Sequence, residues 1–186
     1  MGKRMAILLL LFCLWANTSE AQRVAQKTDL LGLASTTPNY ALELAMGFKW
    51  SMELSTGYNP WDWKDDMSLR HWLVRAEPRI WFCDTFLGMF MGVHGFYGKY
   101  KLGNISFIPA MENYFYDGFI YGAGITLGWH FYLGPRWGLE LAVGGGYARL
   151  EYNKYLCEDC LDLVGDYRTN YFGPTRLSLS LVFLIK

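Results

Sequence analysis

The stretch Arg176-Leu-Ser-Leu-Ser-Leu-Val-Phe-Leu-Ile185, close to the end of the chain, decides the fold. Its odd-numbered positions are all large and apolar, while its even-numbered positions begin with Arg176, Ser178 and Ser180. A two-residue period places every second side chain on one face of a β-strand. Because the same alternation recurs along the chain, the sequence predicts a membrane β-barrel.

The first 21 residues have the features of an export signal. A basic segment, Gly2-Lys3-Arg4, precedes an apolar core from Met5 to Ala16, and Ser19-Glu20-Ala21 offers a small-x-small cleavage site. Such a segment is removed from the mature protein and is not part of the fold. We therefore expect a cleaved signal peptide over residues 1–21 and one barrel domain over residues 22–186.

Composition excludes several classes of protein. Lysine plus arginine equals aspartate plus glutamate, at 17 each, so there is no basic field to attract nucleic acid. After the signal, no apolar run approaches the roughly 20 residues that a transmembrane helix needs. Aromatic residues make up 18% of the chain, which also has 20 glycines. This combination suits strands with rings on one face and small residues on the other.

Alternation and turn signals together predict eight strands. They run over Gln26–Ala34, Asn39–Gly47, Trp50–Tyr58, His71–Phe82, Phe86–Tyr100, Gly118–Tyr132, Trp137–Tyr152 and Phe172–Ile185.

The connections between these strands alternate in length. Short turns at residues 47–49, 83–85 and 133–136 alternate with long segments at 59–70, 101–117 and 153–171, and the short segment 35–38 is the one departure. This is the pattern of an all-β, eight-stranded, antiparallel up-and-down transmembrane β-barrel in the outer membrane, with short turns in the periplasm and long loops outside.

The interior of an eight-stranded barrel has room only for its own side chains. The small and charged set of alternating residues therefore fits inside, and the bulky apolar set faces lipid. Aromatic residues gather at both ends of the outward face, as expected at membrane interfaces. They are Tyr58, Trp72, Phe119 and Tyr147 near the loops, and Phe48, Trp50, Phe82, Trp129 and Trp137 near the turns. The alternative is a soluble, exported lipocalin-like barrel with an apolar cavity.

Several segments carry a family resemblance. They are Asn39, Trp50-Ser51, Tyr58-Asn59-Pro60-Trp61, His71-Trp72-Leu73 and Glu77-Pro78-Arg79-Ile80-Trp81. Here the chain resembles an uncharacterised family of exported bacterial proteins, described only as domain of unknown function 3575, from about Lys27 through Gly98 and more loosely to the end. The resemblance implies a small outer-membrane barrel of Gram-negative bacteria, often encoded near fimbrial genes, with no assigned catalytic residues. By strand count alone, the architecture is also similar to small barrels of the OmpA and OmpX kind.

Charged and histidine side chains are predicted to point into the lumen. Two interpretations stay open: a proton or ion path, and a salt-bridged plug in which opposite charges pair. Four carboxylates against three guanidiniums favour the plug. The set is Glu43, Glu53, Arg75, Glu77, Arg79, His94, His130, Glu140 and Arg176.

A lipid-modifying enzyme is an alternative, because Ser68 and His71 lie close together at the predicted loop end, downstream of Asp62, Asp65 and Asp66. A nucleophile, a base and an orienting acid are what such chemistry requires. No specific motif supports this hypothesis, so we expect no catalytic residues and no cofactor.

Two cysteines, Cys157 and Cys160, fall in the last long loop, where a local disulfide is the favoured interpretation. A redox pair would need a strand-to-helix context, and a zinc site would need two further ligands. Cys83 lies at a turn and has no obvious partner.

Aromatic residues in the predicted loops are the strongest binding signal, either as platforms for glycans or protein partners or as part of the outer girdle. They are Trp61, Trp63, Phe107, Tyr114, Phe115 and Tyr116. Basic residues near the same rim are predicted to meet lipopolysaccharide phosphates. The sequence thus favours a surface-binding component or an accessory subunit of an envelope assembly, ahead of an enzyme or a narrow channel.

Overall fold

The computed structural model describes residues 24–61, 68–103, 115–155 and 163–185, without the side chains of residues 68, 69, 163 and 164. The elements, in chain order, are β1 (Val24–Asp29), α1 (Leu30–Ala34), β2 (Asn39–Ala45), β3 (Trp50–Asn59), β4 (Ser68–Trp81), β5 (Gly88–Gly103), β6 (Phe115–Tyr132), β7 (Trp137–Tyr155) and β8 (Leu163–Ile185). Consecutive strands pair antiparallel, and β8 pairs with β1 to close the sheet. The predicted eight-stranded up-and-down barrel is confirmed.

The connections lie at two distinct ends of this barrel. Residues 46–49, 82–87 and 133–136 form short turns at one end, which we call the turn end. The opposite end is called the loop end. β1 is joined to β2 there through residues 30–38, and β3, β5 and β7 end there where β4, β6 and β8 begin. The connection 30–38 is longer than the predicted segment 35–38, so the one departure from the alternation disappears.

The prediction that the first strand continues to Ala34 is wrong. β1 ends at Asp29, whose carboxylate accepts a hydrogen bond from the Leu31 amide at 3.1 Å and so caps the helix α1. The three leucines of α1 do not alternate with polar residues because they belong to a helical turn. They are 36 to 46% exposed, on the outside of the molecule.

Hydrogen bonds hold this strand-to-helix junction in place. The side chain of Asn39 accepts a hydrogen bond from the Asp29 amide at 2.6 Å and donates to the Asp29 carbonyl at 2.9 Å. The Asp29 carboxylate also accepts from the amide of Leu179 on β8, at 3.0 Å. The end of β1 is thus fastened to both neighbouring strands by side chains.

Strand length increases around the barrel, from 6 residues in β1 to 23 in β8. β8 begins nine residues before the predicted Phe172, and β7 continues to Tyr155, so much of the predicted loop 153–171 is strand. β1 pairs with only the last part of β8, Ser180–Ile185. The wall is therefore low at β1 and high at β8.

The register gives the stagger of the barrel. Stepping across the sheet from Lys27 leads through paired residues Ala41, Ser55, Arg75, Phe96, Gly122 and Ala148 to Tyr171. Lys27 itself pairs with Val182, which lies eleven residues beyond Tyr171 on β8. One of these eleven residues is the extra residue of the β-bulge opposite Gly144 and Gly145. Such a stagger means that the strands are tilted by about 35–45° from the barrel axis.

The two faces of the sheet differ sharply in chemistry. Inward-facing residues include glycines, alanines, serines and most of the buried charges, whereas most large apolar side chains lie outside. Among the described residues, no helix is long and apolar enough to cross a membrane.

Candidate functional site

The guanidinium of Arg79 occupies the centre of the lumen and contacts four buried carboxylates. Its Nη1 lies 2.8 Å from Glu43 and 3.1 Å from Glu140. Its Nη2 lies 2.7 Å from Glu53, and its Nε donates to Glu77 at 2.8 Å. These glutamates come from β2, β3, β4 and β7. The arginine therefore ties several walls of the barrel together.

Like charges are neighbours in this part of the wall. Glu43 pairs directly with Glu53, and Glu53 pairs with Glu77 on the next strand. Like charges directly opposite each other destabilise a sheet. The carboxylate row consequently depends on cations placed between its members.

The second central cation, Lys27 on β1, was missed by the sequence analysis. Its ammonium group forms ion pairs with Glu43, Glu53 and Glu140, and its side chain is 1% exposed. The oxygens of these three glutamates lie within 4.8 Å of one another, a spacing that can hold a metal ion. The lysine ammonium already takes this position. The charge balance of the predicted lumen could have indicated that a cation was missing, because the set held one more carboxylate than guanidiniums.

A second part of the network is centred on Glu77. Arg176 bridges Glu77 and Glu53, the latter at 2.8 Å. The hydroxyl of Thr126 donates to Glu77 at 3.0 Å, and His94 Nδ1 lies 2.8 Å from that hydroxyl. The imidazole is thus linked to the carboxylates through a threonine.

Arg75, also predicted for the lumen, is only half-buried. It lies on β4 nearer the loop end than Glu77 and Arg79. Its Nε is buried and has no hydrogen-bond partner among the residues that the structure describes. With Lys27, Arg79 and Arg176 it brings the lumen cations to four, equal to the four glutamates.

Aromatic side chains close the turn end of the lumen, which the sequence analysis did not predict. Trp81, Phe86 and Phe90 are at most 5% exposed, and the ring centroids of Trp81 and Phe90 are 4.9 Å apart. The Trp81 indole donates to Ser51 at 2.8 Å, and Arg79 lies 4.3 Å from the Phe90 ring centroid. The apolar floor therefore packs directly against the charge network.

His130 lies beside this floor, with its ring centroid 6.2 Å from that of Trp81. It is 2% exposed, and neither ring nitrogen has a hydrogen-bond partner within the described ranges. The structure thus places every predicted lumen residue inside the barrel, with His130 at its apolar end.

The predicted loop aromatics are only partly within the described residues. Trp61 is 53% exposed, and its amide is held by the Asn59 side chain at 3.1 Å. Phe115 is buried, whereas Tyr116 contacts Tyr152 with ring centroids 5.6 Å apart. Trp63, Phe107 and Tyr114 lie outside the described residues.

Tyr116 belongs to a row of tyrosines near the loop end of the barrel wall. Tyr152 also stacks on Tyr167, at 5.7 Å between centroids, and Lys154 lies 5.8 Å from the Tyr116 ring. By register, this row lies on the face of β6, β7 and β8 that continues the inner wall of the barrel.

Only one of the residues named in the lipid-modifying enzyme hypothesis is described with its side chain. His71 Nε2 lies 3.4 Å from the Thr37 hydroxyl, and the half-buried imidazole faces the inner side of the loop end. Asp62, Asp65, Asp66 and the side chain of Ser68 lie outside the described residues.

The cysteine predictions are also only partly covered. Cys157 and Cys160 lie outside the described residues, as does the expected signal peptide, residues 1–21. Cys83 is an exposed free thiol at the turn end.

Comparison with known proteins gives one assignment. No curated protein and no solved structure matches the chain. A family model matches residues 6–185, which is further than the segments that carried the sequence resemblance. The chain therefore belongs to the family described as "Protein of unknown function (DUF3575)".

Proposed function

We propose that this protein is an integral outer-membrane β-barrel with a filled lumen, which acts through its loop end as a surface-binding component or accessory subunit of an envelope assembly. The observation that carries the proposal is the apolar outer surface of the closed barrel. Soluble monomers rarely expose contiguous apolar patches above a few hundred Å².

The outer surface is aliphatic in the middle and aromatic at both ends. Six of the exposed aliphatic residues are 43 to 64% accessible, namely Leu44, Leu54, Val93, Ile125, Val143 and Leu177. Phe48, Trp50, Phe82, Trp129 and Trp137 are exposed on the turn side of this band, and Tyr58, Trp72, Phe119 and Tyr147 on the loop side. This order matches the layers of a bilayer.

The spacing of the two aromatic rows supports the same conclusion. Trp137 and Tyr147 are ten residues apart on β7, or about 34 Å along an antiparallel strand. With a tilt of about 40°, the separation along the membrane normal is about 26 Å. Trp50 and Tyr58 give about 21 Å in the same way. Apolar bands of outer-membrane barrels are about 25 Å high.

The side chains that fill the lumen favour a closed barrel over a channel. Ion pairs of Arg79 and Lys27 cross its centre, and Trp81 and Phe90 fill its turn end. The interior of an eight-stranded barrel is only wide enough for its own side chains, so we expect no open channel beside them. We expect no steady conductance when the purified protein is inserted into a planar bilayer.

The loop end supports the binding role. Trp61 and the tyrosine row place aromatic rings above the apolar band, where partners outside the cell can reach them. A fimbrial subunit is the class of protein partner that the family resemblance implies.

Lipid exposure is tested by introducing one charge at two exposed positions. Val143→Arg places a cation in the middle of the apolar band, where lipid contact costs about 2–4 kcal/mol. Thr169→Arg is the matched control, since Thr169 is exposed on β8 beyond the loop-side aromatic row. We expect Val143→Arg to lower membrane insertion and stability in vesicles while Thr169→Arg leaves both unchanged. Equal tolerance of both substitutions would contradict the membrane proposal.

The binding role is tested by extracting the native protein from outer membranes in mild detergent. Mass spectrometry of the bound proteins and lipids is expected to find a stoichiometric envelope partner. A lone barrel, together with changed lipid A mass in a deletion strain, would replace the accessory role with a lipid-modifying one.

A further inference from the structure

A chain of hydrogen-bonded side chains crosses the lumen from Thr175 on β8 to Glu77 on β4. The Thr175 hydroxyl lies 2.8 Å from His94 Nε2, and His94 Nδ1 lies 2.8 Å from the Thr126 hydroxyl. Thr126 in turn donates to the Glu77 carboxylate at 3.0 Å. A hydroxyl, an imidazole and a carboxylate linked in this order provide a nucleophile, a general base and an orienting acid.

The directions of these hydrogen bonds fix the tautomer of His94. The Glu77 carboxylate, which is paired with two arginines, only accepts hydrogen bonds, so Thr126 donates to it. The Thr126 oxygen is then left to accept from His94 Nδ1–H. Nε2 of the neutral ring therefore has a free electron pair and accepts from the Thr175 hydroxyl. In this arrangement an imidazole can take a proton from a nucleophilic oxygen.

The position of Thr175 in the wall is irregular. Thr175 is the extra residue of the β-bulge opposite Gly144 and Gly145. A bulge redirects a side chain and is common next to active sites. His94 is buried, whereas Thr175 is half-buried and the preceding Pro174 is exposed. The hydroxyl thus lies where the buried chain of hydrogen bonds reaches an accessible part of the wall.

The wall beside Thr175 lacks a neighbouring strand. β1 pairs only with Ser180–Ile185 of β8, and on the loop side of these pairs the helix α1 lies beside β8. A helix cannot extend the ladder, and in the described part of the chain no backbone hydrogen bond joins α1 to β8. We call this stretch of wall, between α1 and residues 173–179, the seam.

Several backbone groups of β8 along the seam are satisfied without a strand. The Leu179 amide donates to the Asp29 carboxylate at 3.0 Å. Pro174 has no amide hydrogen, and its carbonyl accepts from the Tyr171 hydroxyl at 3.3 Å. Such contacts are needed where an edge meets lipid, because unsatisfied backbone groups are costly there. Between Thr175 and the lipid, the wall is thus not closed by a β-ladder.

Arg75 offers a donor for a developing negative charge. It pairs with Phe96 on β5, and His94 is the next inward residue of that strand, so arginine and imidazole are diagonal neighbours on the inner face. Arg75 Nε is buried and has no hydrogen-bond partner among the described side chains or backbone. Donors placed where charge develops stabilise the transition state of acyl transfer.

The depth of Thr175 fits the ester groups of an outer-leaflet lipid. Tyr147 of the loop-side aromatic row pairs with Phe172, which lies three residues from Thr175 toward the loop end. At about 3.4 Å per residue and a tilt of about 40°, Thr175 lies about 5–8 Å below this row. Aromatic belts lie at the level of the headgroups, and the acyl esters of a lipid lie directly beneath its headgroup.

We propose that Thr175 and His94 form a catalytic site for ester-linked acyl chains of outer-leaflet lipids, which reach it through the seam. The Thr175 oxygen attacks the ester carbonyl carbon and gives its proton to His94 Nε2, while Arg75 Nε donates to the oxyanion. The ester carbon–oxygen bond then breaks, and the leaving alkoxide takes the proton from His94. The acyl group stays on Thr175 until water, attacking by the same route, releases the fatty acid and restores both side chains. This inference rests on the proposed membrane location and goes beyond the binding role.

The experiment measures release of oleate from dioleoyl phosphatidylglycerol by the full-length mature barrel in micelles of nonionic detergent. Thr175→Val keeps the shape of the side chain without its hydroxyl, Thr175→Ser keeps the hydroxyl, and His94→Gln removes the base. Thr169→Val is the matched control, because Thr169 is exposed on the same strand and lies outside the chain of hydrogen bonds.

We expect the unsubstituted barrel and Thr175→Ser to release oleate. Thr175→Val and His94→Gln should each lower the rate at least about 100-fold. Combining these two substitutions should lower it little further, because a nucleophile and its base act as a unit. Thr169→Val should stay within about twofold of the unsubstituted barrel, as expected for a surface substitution.

Three results would overturn the catalytic site. They are no oleate release by the unsubstituted barrel, full activity of Thr175→Val, and equal losses in Thr175→Val and Thr169→Val. A heat-dependent shift in gel mobility shows that each variant is folded. The Val143→Arg comparison tests insertion separately, so a barrel that inserts but cleaves no ester overturns only the site.

Discussion

Replacing Arg79 by methionine removes the cation that contacts all four lumen glutamates. Methionine is flexible and keeps much of the packing volume beside Phe90. Breaking a buried ion pair by removing one partner costs about 3–5 kcal/mol, because the other charge stays buried without compensation. Arg79→Met should therefore lower the free energy of unfolding by at least about 3 kcal/mol.

The matched control is Arg168→Met. Arg168 is 73% exposed and lies 4.0 Å from Glu151, so its removal should cost less than about 1 kcal/mol. Both variants would be folded in detergent and titrated with urea, with tryptophan fluorescence and gel mobility as readouts. Loss of midpoint concentration at unchanged slope measures the change in stability.

A compensating variant sharpens this test. Adding Glu140→Gln to Arg79→Met removes one uncompensated carboxylate, so we expect the double variant to recover at least part of the lost stability. Equal small losses for Arg79→Met and Arg168→Met would refute the view that buried ion pairs hold the lumen. A double variant that loses more free energy of unfolding than the two single variants lose together would also contradict this view.

Three further substitutions test other parts of the fold by the same urea titration. Asp29→Ala should cost about 1–2 kcal/mol, because the carboxylate caps α1 and also holds an amide of β8; no loss would show that the junction is held by packing alone. Gly92→Ala should cost about 1–3 kcal/mol, since a Cβ there would lie 2.8 Å from Glu77 Oε1, whereas Gly95→Ala meets nothing closer than 4.0 Å and should be neutral. Trp81→Phe should cost about 1 kcal/mol through loss of the indole hydrogen bond, and a neutral result would argue against that bond.

Strand number, order and the two faces of the sheet could be predicted from the sequence because they depend on local alternation. Six of the eight predicted strands, β2 to β7, agree with the observed strands to within a few residues at each end, and β8 begins nine residues before its predicted start. The first strand was predicted too long because Leu30, Leu31 and Leu33 are apolar without a period. A five-residue helix leaves too short a pattern to recognise.

The composition of the lumen was predicted less completely. Glu43 and Glu53 were found because small residues flank them on the same face of an alternating strand, and Glu77 and Arg79 were found because they occupy every second position with Arg75. Lys27 was missed because the outward residues beside it, Gln26 and Thr28, are polar and hide the period. Trp81 was missed because apolar residues flank it on both sides.

The sequence by itself determined that this chain forms eight antiparallel strands with an apolar outer face and charges inside, because side-chain direction along a strand follows from a two-residue period. Only the tertiary structure decided which charges meet, since pairing across the lumen depends on stagger and on strand ends. The eleven-residue offset between Tyr171 and Val182 sets the stagger, and Asp29 and Asn39 end the first strand. These long-range relations place Lys27 among three glutamates, and no local pattern contains them.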